Sequence, residues 1–143
     1  MENKMKLSFL SISENEAFAR NVVASFILPF NPTISQVNDI KTAVSEAVTN
    51  AIVHGYPDSV GEIELEAYTD GGDLHIIITD GGVGIDDLTK ALEPFYSSKP
   101  ESERSGMGFT IMKSFMDSVE VVSKINVGTT VKMSKNLALK HAE

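Results

Sequence analysis

From Lys6 to Ile12 apolar and polar positions alternate, with Leu7 and Phe9 on one side, and this predicts a first strand. Ser13-Glu14-Asn15-Glu16 has the form of a capping box, Ser at the N-cap and Glu three residues on. It predicts a helix whose apolar face carries Phe18, Val22, Val23, Phe26 and Ile27, ended by Pro29 and Asn31-Pro32. A second helix is predicted over about residues 37–54. There Val37, Ile40, Val44, Val48 and Ala51 recur at spacings of three and four, as a stripe facing the core. Gly55 stands where a helix C-terminus favours glycine, and Pro57 blocks resumption.

Ile63, Leu65 and Ala67 then alternate with Glu62, Glu64 and Glu66, the pattern of a strand with one buried face. Asp70-Gly71-Gly72-Asp73 turns the chain, and Leu74 to Thr79 returns as its hairpin partner. Residues 95–105 lack periodicity and read as a mobile loop. Phe109, Met112, Phe115 and Met116 predict a short helix. Val119 to Lys124, the turn Asn126-Val127-Gly128 and Thr129 to Lys135 predict a last hairpin, with a frayed tail from residue 136. The sum is an α+β fold, helices layered on a mixed or antiparallel sheet, in a single domain over residues 1–143.

Composition narrows the functions open to such a domain. Twelve Lys and Arg against twenty Asp and Glu give a net charge of −8, which argues against nucleic acid as a partner. A nucleotide site survives that argument, because a few local cations and backbone N–H groups suffice for it. The absence of Cys removes disulfides, thiolate metal sites and a Cys nucleophile. No run is long enough for a signal peptide or a membrane span, so a soluble cytoplasmic protein without a membrane partner is expected.

The candidate chemistry begins on the second helix. Glu46 lies about 200° around the helix from Val44 and from Val48, so Glu46, Asn50 and His54 line a different face from the core stripe. Glu46 taken singly is an ordinary exposed helical carboxylate; in a site, it is a candidate general base for phosphoryl transfer. Asn50, unfavourable in mid-helix, is a candidate Mg2+ ligand through its neutral oxygen. His54 reads more simply as a cation on the helix dipole. Asp80 closes an apolar strand, where it either starts a turn or accepts a hydrogen bond from an adenine amino group. Gly81, Gly82 and Gly84 would let backbone pass close to a ligand. Lys99 and Arg104 flank the aperiodic loop and can meet phosphates. Gly106-Met107-Gly108 precedes a helix whose N-terminus favours anions, and Thr130 can point at a purine from its strand. No P-loop motif occurs, and neither Gly-x-Gly completes a dinucleotide fingerprint.

Glu46-x-x-x-Asn50-Ala51-x-x-His54-Gly55, Asp80-x-Gly82-x-Gly84-Ile85 and Arg104-Ser105-Gly106-Met107-Gly108-Phe109 together resemble the anti-sigma serine kinase branch of the GHKL ATPases. The blocks at residues 41–52 and 101–112 are similar to the sporulation anti-sigma factors of bacilli, and the resemblance runs from Met5 to about Lys135. It implies a Bergerat fold, ATP or ADP with Mg2+, and a homodimer that binds and inhibits a sporulation sigma factor. It also implies phosphorylation of a serine on an anti-anti-sigma factor. By position it makes Glu46 the base, Asn50 the Mg2+ ligand, Asp80 and Thr130 the adenine contacts, and residues 94–108 an ATP lid with Arg104 near the γ-phosphate. Arg20 matches a residue that meets both protein partners, and Glu16 shares its polar face. Two other readings compete: an ATP-gated sigma-binding module without transfer, and a histidine-kinase catalytic domain. The second ranks low, for want of upstream dimerisation helices with a phosphoacceptor His.

Overall fold

Alternation at the N-terminus produces strand β1, Lys4–Leu10, two residues earlier than the pattern predicts. The computed structural model describes residues 2–86, 92 and 108–137. After β1 come helix α1 (Glu14–Ile27), a 3-10 turn (Leu28–Phe30), helix α2 (Ile34–Asn50) and a π turn (Ala51–Gly55). Strands β2 (Glu62–Asp70) and β3 (Asp73–Asp80) follow. Helix α3 (Gly108–Phe115) and strands β4 (Ser118–Lys124) and β5 (Gly128–Asn136) complete the described chain.

The strands form one five-stranded sheet in the order β1-β2-β3-β5-β4. Every pairing is antiparallel, so of the two expected arrangements the antiparallel one holds. Strand alternation sorts side chains between two faces. Phe9, Ile63, Leu65, Ile76, Ile78, Val131 and Met133 share a core with Ala19, Val23 and Ile27 of α1, Ile40, Val44 and Val48 of α2, and Met112 of α3. Each large side chain so buried contributes about 1.5–3 kcal/mol. The other face holds Lys6 opposite Glu66 and Glu120 opposite Lys132, with Tyr68 stacked on His75 at 4.6 Å. Helices on one face and charged pairs on the other make two layers.

Three local expectations change. Ser13 has helical dihedrals and makes no side-chain cap, because Glu16, the other half of the expected box, is held by Arg20 and Ser45. The capping box forms instead at α2. Thr33 Oγ1 accepts from Gln36 N at 3.0 Å, and Gln36 Oε1 accepts from Thr33 N at 2.9 Å. Phe18 is not on the core stripe of α1; it is 48% exposed, and the stripe runs through Ala19, Val23 and Ile27. Asn136 and Leu137 are not frayed: the Asn136 amide donates to Asp73 at 2.7 Å, and Leu137 is buried.

Candidate functional site

The C-terminal half of α2 carries the first cluster. Glu46 lies off the core stripe, as its phase requires, yet it is only 6% exposed. The cause is long-range: α3 begins with Gly108 directly above it. A Cβ on Gly108 would stand 3.2 Å from both Oδ1 and Nδ2 of Asn50 and 3.5 Å from Glu46 Oε1. The spacing of four does bring the acid and the carboxamide together. Both side chains thus line the start of α3, where the Asn50 carboxamide offers a neutral oxygen of the kind that suits a small hard cation also bound to phosphates. Among the described residues no group of three His, Asp or Glu could hold a metal.

Beyond Asn50 the helix widens. Tyr56 N donates to Ala51 O at 3.1 Å, so Ala51–Gly55 is a π turn, a form often found at functional sites. This wider turn lays Gly55 against the end of β3. A Cβ on Gly55 would come within 2.9 Å of the Asp80 carboxylate, and one on Gly82 within 2.0 Å of the Gly55 carbonyl oxygen. Val83 N donates to that same carbonyl at 2.9 Å. The Tyr56 hydroxyl accepts from Gly81 N and donates to Glu62 O, each at 2.7 Å. The loop after Asp80 is thereby pinned to the helix that holds Glu46 and Asn50. Gly84 has φ +80° and the Lys124 carbonyl oxygen 2.4 Å from where a Cβ would be, so only glycine serves there.

Asp80 ends β3 on the helix-facing side and is 7% exposed. Gly82 N donates to its Oδ1 at 2.9 Å. Burial raises its pKa above the ordinary value, and the backbone N–H groups of Gly82 and Thr129 oppose the rise. A carboxylate with two backbone donors retains lone pairs for a ligand donor.

The placement of Thr130 is corrected by the strand register. Asp80 pairs with Thr129, and Thr79 with Thr130. Successive strand residues face opposite sides, so Thr129 stands beside Asp80 while Thr130 is on the far face, 3.5 Å from the Thr79 hydroxyl. Thr129 Oγ1 lies 2.7 Å from Ser123 Oγ on β4, and Ser123 Oγ accepts from Ile85 N at 2.8 Å. Thr129, Ser123, Gly55 and Tyr56 are the site residues that periodicity did not single out. Register parity was the available signal for the first two.

Arg20 donates to the Glu16 carboxylate one turn before it on α1, and the Ser45 hydroxyl of α2 donates to the same carboxylate. This ties α1 to the residue preceding Glu46. The Arg20 side chain is 35% exposed. His54 lies in the π turn rather than at an α-helical C-terminus. Lys99, Arg104, Gly106 and Met107, with the rest of the expected lid before Gly108, lie outside the described residues.

Residues 13–135 match the family model of the histidine kinase-like ATPase domain. The anti-sigma F factor of Clostridium kluyveri is 51% identical over 134 residues, 94% of each chain. That of Clostridium perfringens is 54% identical over 138 residues, 96% of this chain and 99% of its own. The anti-sigma F factor of Oceanobacillus iheyensis is 54% identical over 139 residues, 96% and 95%. Among solved structures, the RsbU and RsbW domains of a Mycobacterium tuberculosis protein align with a TM-score of 0.68 and 18% identity. That match covers 94% of this chain and 32% of the other, and at such identity it shows the fold alone.

Proposed function

The chain belongs to the anti-sigma F factor family, within the histidine kinase-like ATPase domain family, and from this premise we propose that it binds and inhibits a sporulation sigma factor and phosphorylates a serine of an anti-anti-sigma factor with ATP. One observation carries the reading. The π turn that follows Glu46 and Asn50 on α2 ends at Gly55 against the Asp80 carboxylate, and Glu46 and Asp80 are both buried polar groups.

In this reading the Asp80 carboxylate accepts from the adenine amino group, and Thr129, rather than Thr130, borders the base. Gly82 and Gly84 shape the loop beneath the nucleotide. The Asn50 carboxamide oxygen holds Mg2+. When bound, Mg2+ neutralises phosphate charge so that a hydroxyl oxygen can approach the γ-phosphorus. The serine oxygen then bonds to phosphorus as the bond to the ADP oxygen breaks. Glu46 takes the hydroxyl proton. Lys99 and Arg104 supply cationic contacts to the phosphates, and Gly106-Met107-Gly108 brings backbone N–H groups to them at the start of α3. Arg20 and Glu16 face the protein partners, and the protein acts in the cytoplasm as a homodimer.

The test is incubation with γ-labelled ATP, Mg2+ and purified anti-anti-sigma factor. Label on a partner serine, absent without the protein, is the expected result. ATP-dependent sigma binding with no label would leave an ATP-gated binding module in its place. In the same assay Arg20→Ala is expected to weaken both protein complexes and leave ATP binding intact.

A further inference from the structure

We infer that Ser123, on β4, is a positioning residue for purine recognition: its hydroxyl directs the Thr129 hydroxyl beside Asp80 and so favours adenine over bases with a carbonyl in place of the amino group. This rests on the reading that Asp80 receives the adenine amino group.

Asp80, Thr129 and Ser123 form one row across β3, β5 and β4. Asp80 pairs with Thr129, and Thr129 with Ser123. All three side chains point to the helix-facing side, which fixes their neighbours. Thr129 is 9% exposed, so its hydroxyl must find partners inside the site. Ser123 Oγ accepts from Ile85 N at 2.8 Å, which leaves it one proton to donate. Two acceptors compete for that proton: Thr129 Oγ1 at 2.7 Å and Gly128 O at 3.2 Å.

Two proton arrangements follow. In one, Thr129 donates to Ser123, and Ser123 passes its proton to Gly128 O. A ligand then meets only Thr129 lone pairs. In the other, Ser123 donates to Thr129, and the Thr129 proton is free for a ligand acceptor. Moving between them sacrifices only the longer 3.2 Å bond. The second arrangement sets a donor beside the acceptor Asp80. That pair matches the amino group and adjacent ring nitrogen of adenine, directly or through one water. Hypoxanthine presents the reverse, a carbonyl and a ring N–H, and leaves buried groups mismatched. Because Ile85 N–H occupies the remaining side of Ser123, the same hydroxyl also links the glycine loop to this row.

The experiment is calorimetry with ATP, ITP and the deaza-ATP whose ring nitrogen beside the amino carbon is replaced by CH. Wild type, Ser123→Ala, Ser123→Thr and Thr129→Val are compared, with melting temperatures. Wild type is expected to prefer ATP over the other two. Ser123→Ala is expected to lose about tenfold in ATP affinity, the scale of one hydrogen bond, with little change for the deaza analogue. Ser123→Thr should restore the preference, and Thr129→Val should repeat the loss. Equal loss for all three nucleotides would make Ser123 merely structural and overturn the inference, as would an unchanged ATP preference in both Ser123→Ala and Thr129→Val. Failure of wild type to bind ATP would overturn the ATP reading itself, and this inference with it.

Discussion

At Asp80 the proposed contact to adenine and the stability of the fold pull in opposite directions. Burial raises its carboxyl above the ordinary value of 3.8, more than the Gly82 and Thr129 N–H groups hold it down. A raised value means that the folded chain binds the proton more tightly than the unfolded chain. Ionised Asp80 therefore costs stability above its folded pKa, and that cost disappears as pH falls below 3.8. Adenine binding runs the other way, since a protonated carboxyl loses acceptor capacity. We predict that Asp80→Asn weakens ATP binding by about 1.5–3 kcal/mol, the range for a hydrogen bond to a charged group. ATP affinity in wild type should also fall toward acid through a midpoint above 3.8, a component missing in the mutant. Equal ATP affinity by calorimetry would remove Asp80 from the base pocket. Asp80 was legible in the sequence because a polar residue closing Leu74, Ile76 and Ile78 is unusual. Thr129 was missed although Val131 and Met133 alternate with it and mark its face as the apolar one; what the sequence does not hold is the pairing that sets it opposite Asp80.

Elements were legible wherever periodicity was strong and local chemistry decided the boundary. The stripe Ile40, Val44, Val48 and Ala51 is buried as the spacing requires. Ser13-x-x-Glu16 and Thr33-x-x-Gln36 carry the same capping pattern, yet only the second forms. Tertiary competition for Glu16, from Arg20 and from Ser45 on α2, separates the two cases. The π turn left no periodic mark, although Gly55 stood at its end. That glycine is there because the wider turn drives backbone onto Asp80. We predict that Gly55→Ala, which would place a Cβ 2.9 Å from the Asp80 carboxylate, costs about 1–3 kcal/mol of stability as overpacking does. It should weaken ATP binding as well. Wild-type melting and wild-type ATP affinity in this variant would show that the close approach of α2 to β3 does not matter.

At the scale of the whole molecule, the site exists because layers from distant parts of the chain meet. Amphipathic pattern predicted two layers, and they form. It placed Glu46 on an exposed face, whereas α3 covers that face and buries it. That covering comes from residues about sixty positions later in the chain and has no local signature. It turns an ordinary helical acid into one held beside Asn50 in a confined space, placed to act as the base. The most direct measurement is single-turnover phosphoryl transfer to the anti-anti-sigma serine, at saturating ATP, Mg2+ and partner, in wild type and Glu46→Gln. Glu46→Gln keeps size and hydrogen bonding while removing the base. The expected result is transfer slowed by about 10²–10⁴-fold, with ATP affinity and sigma binding retained. Transfer at the wild-type rate in Glu46→Gln would contradict it.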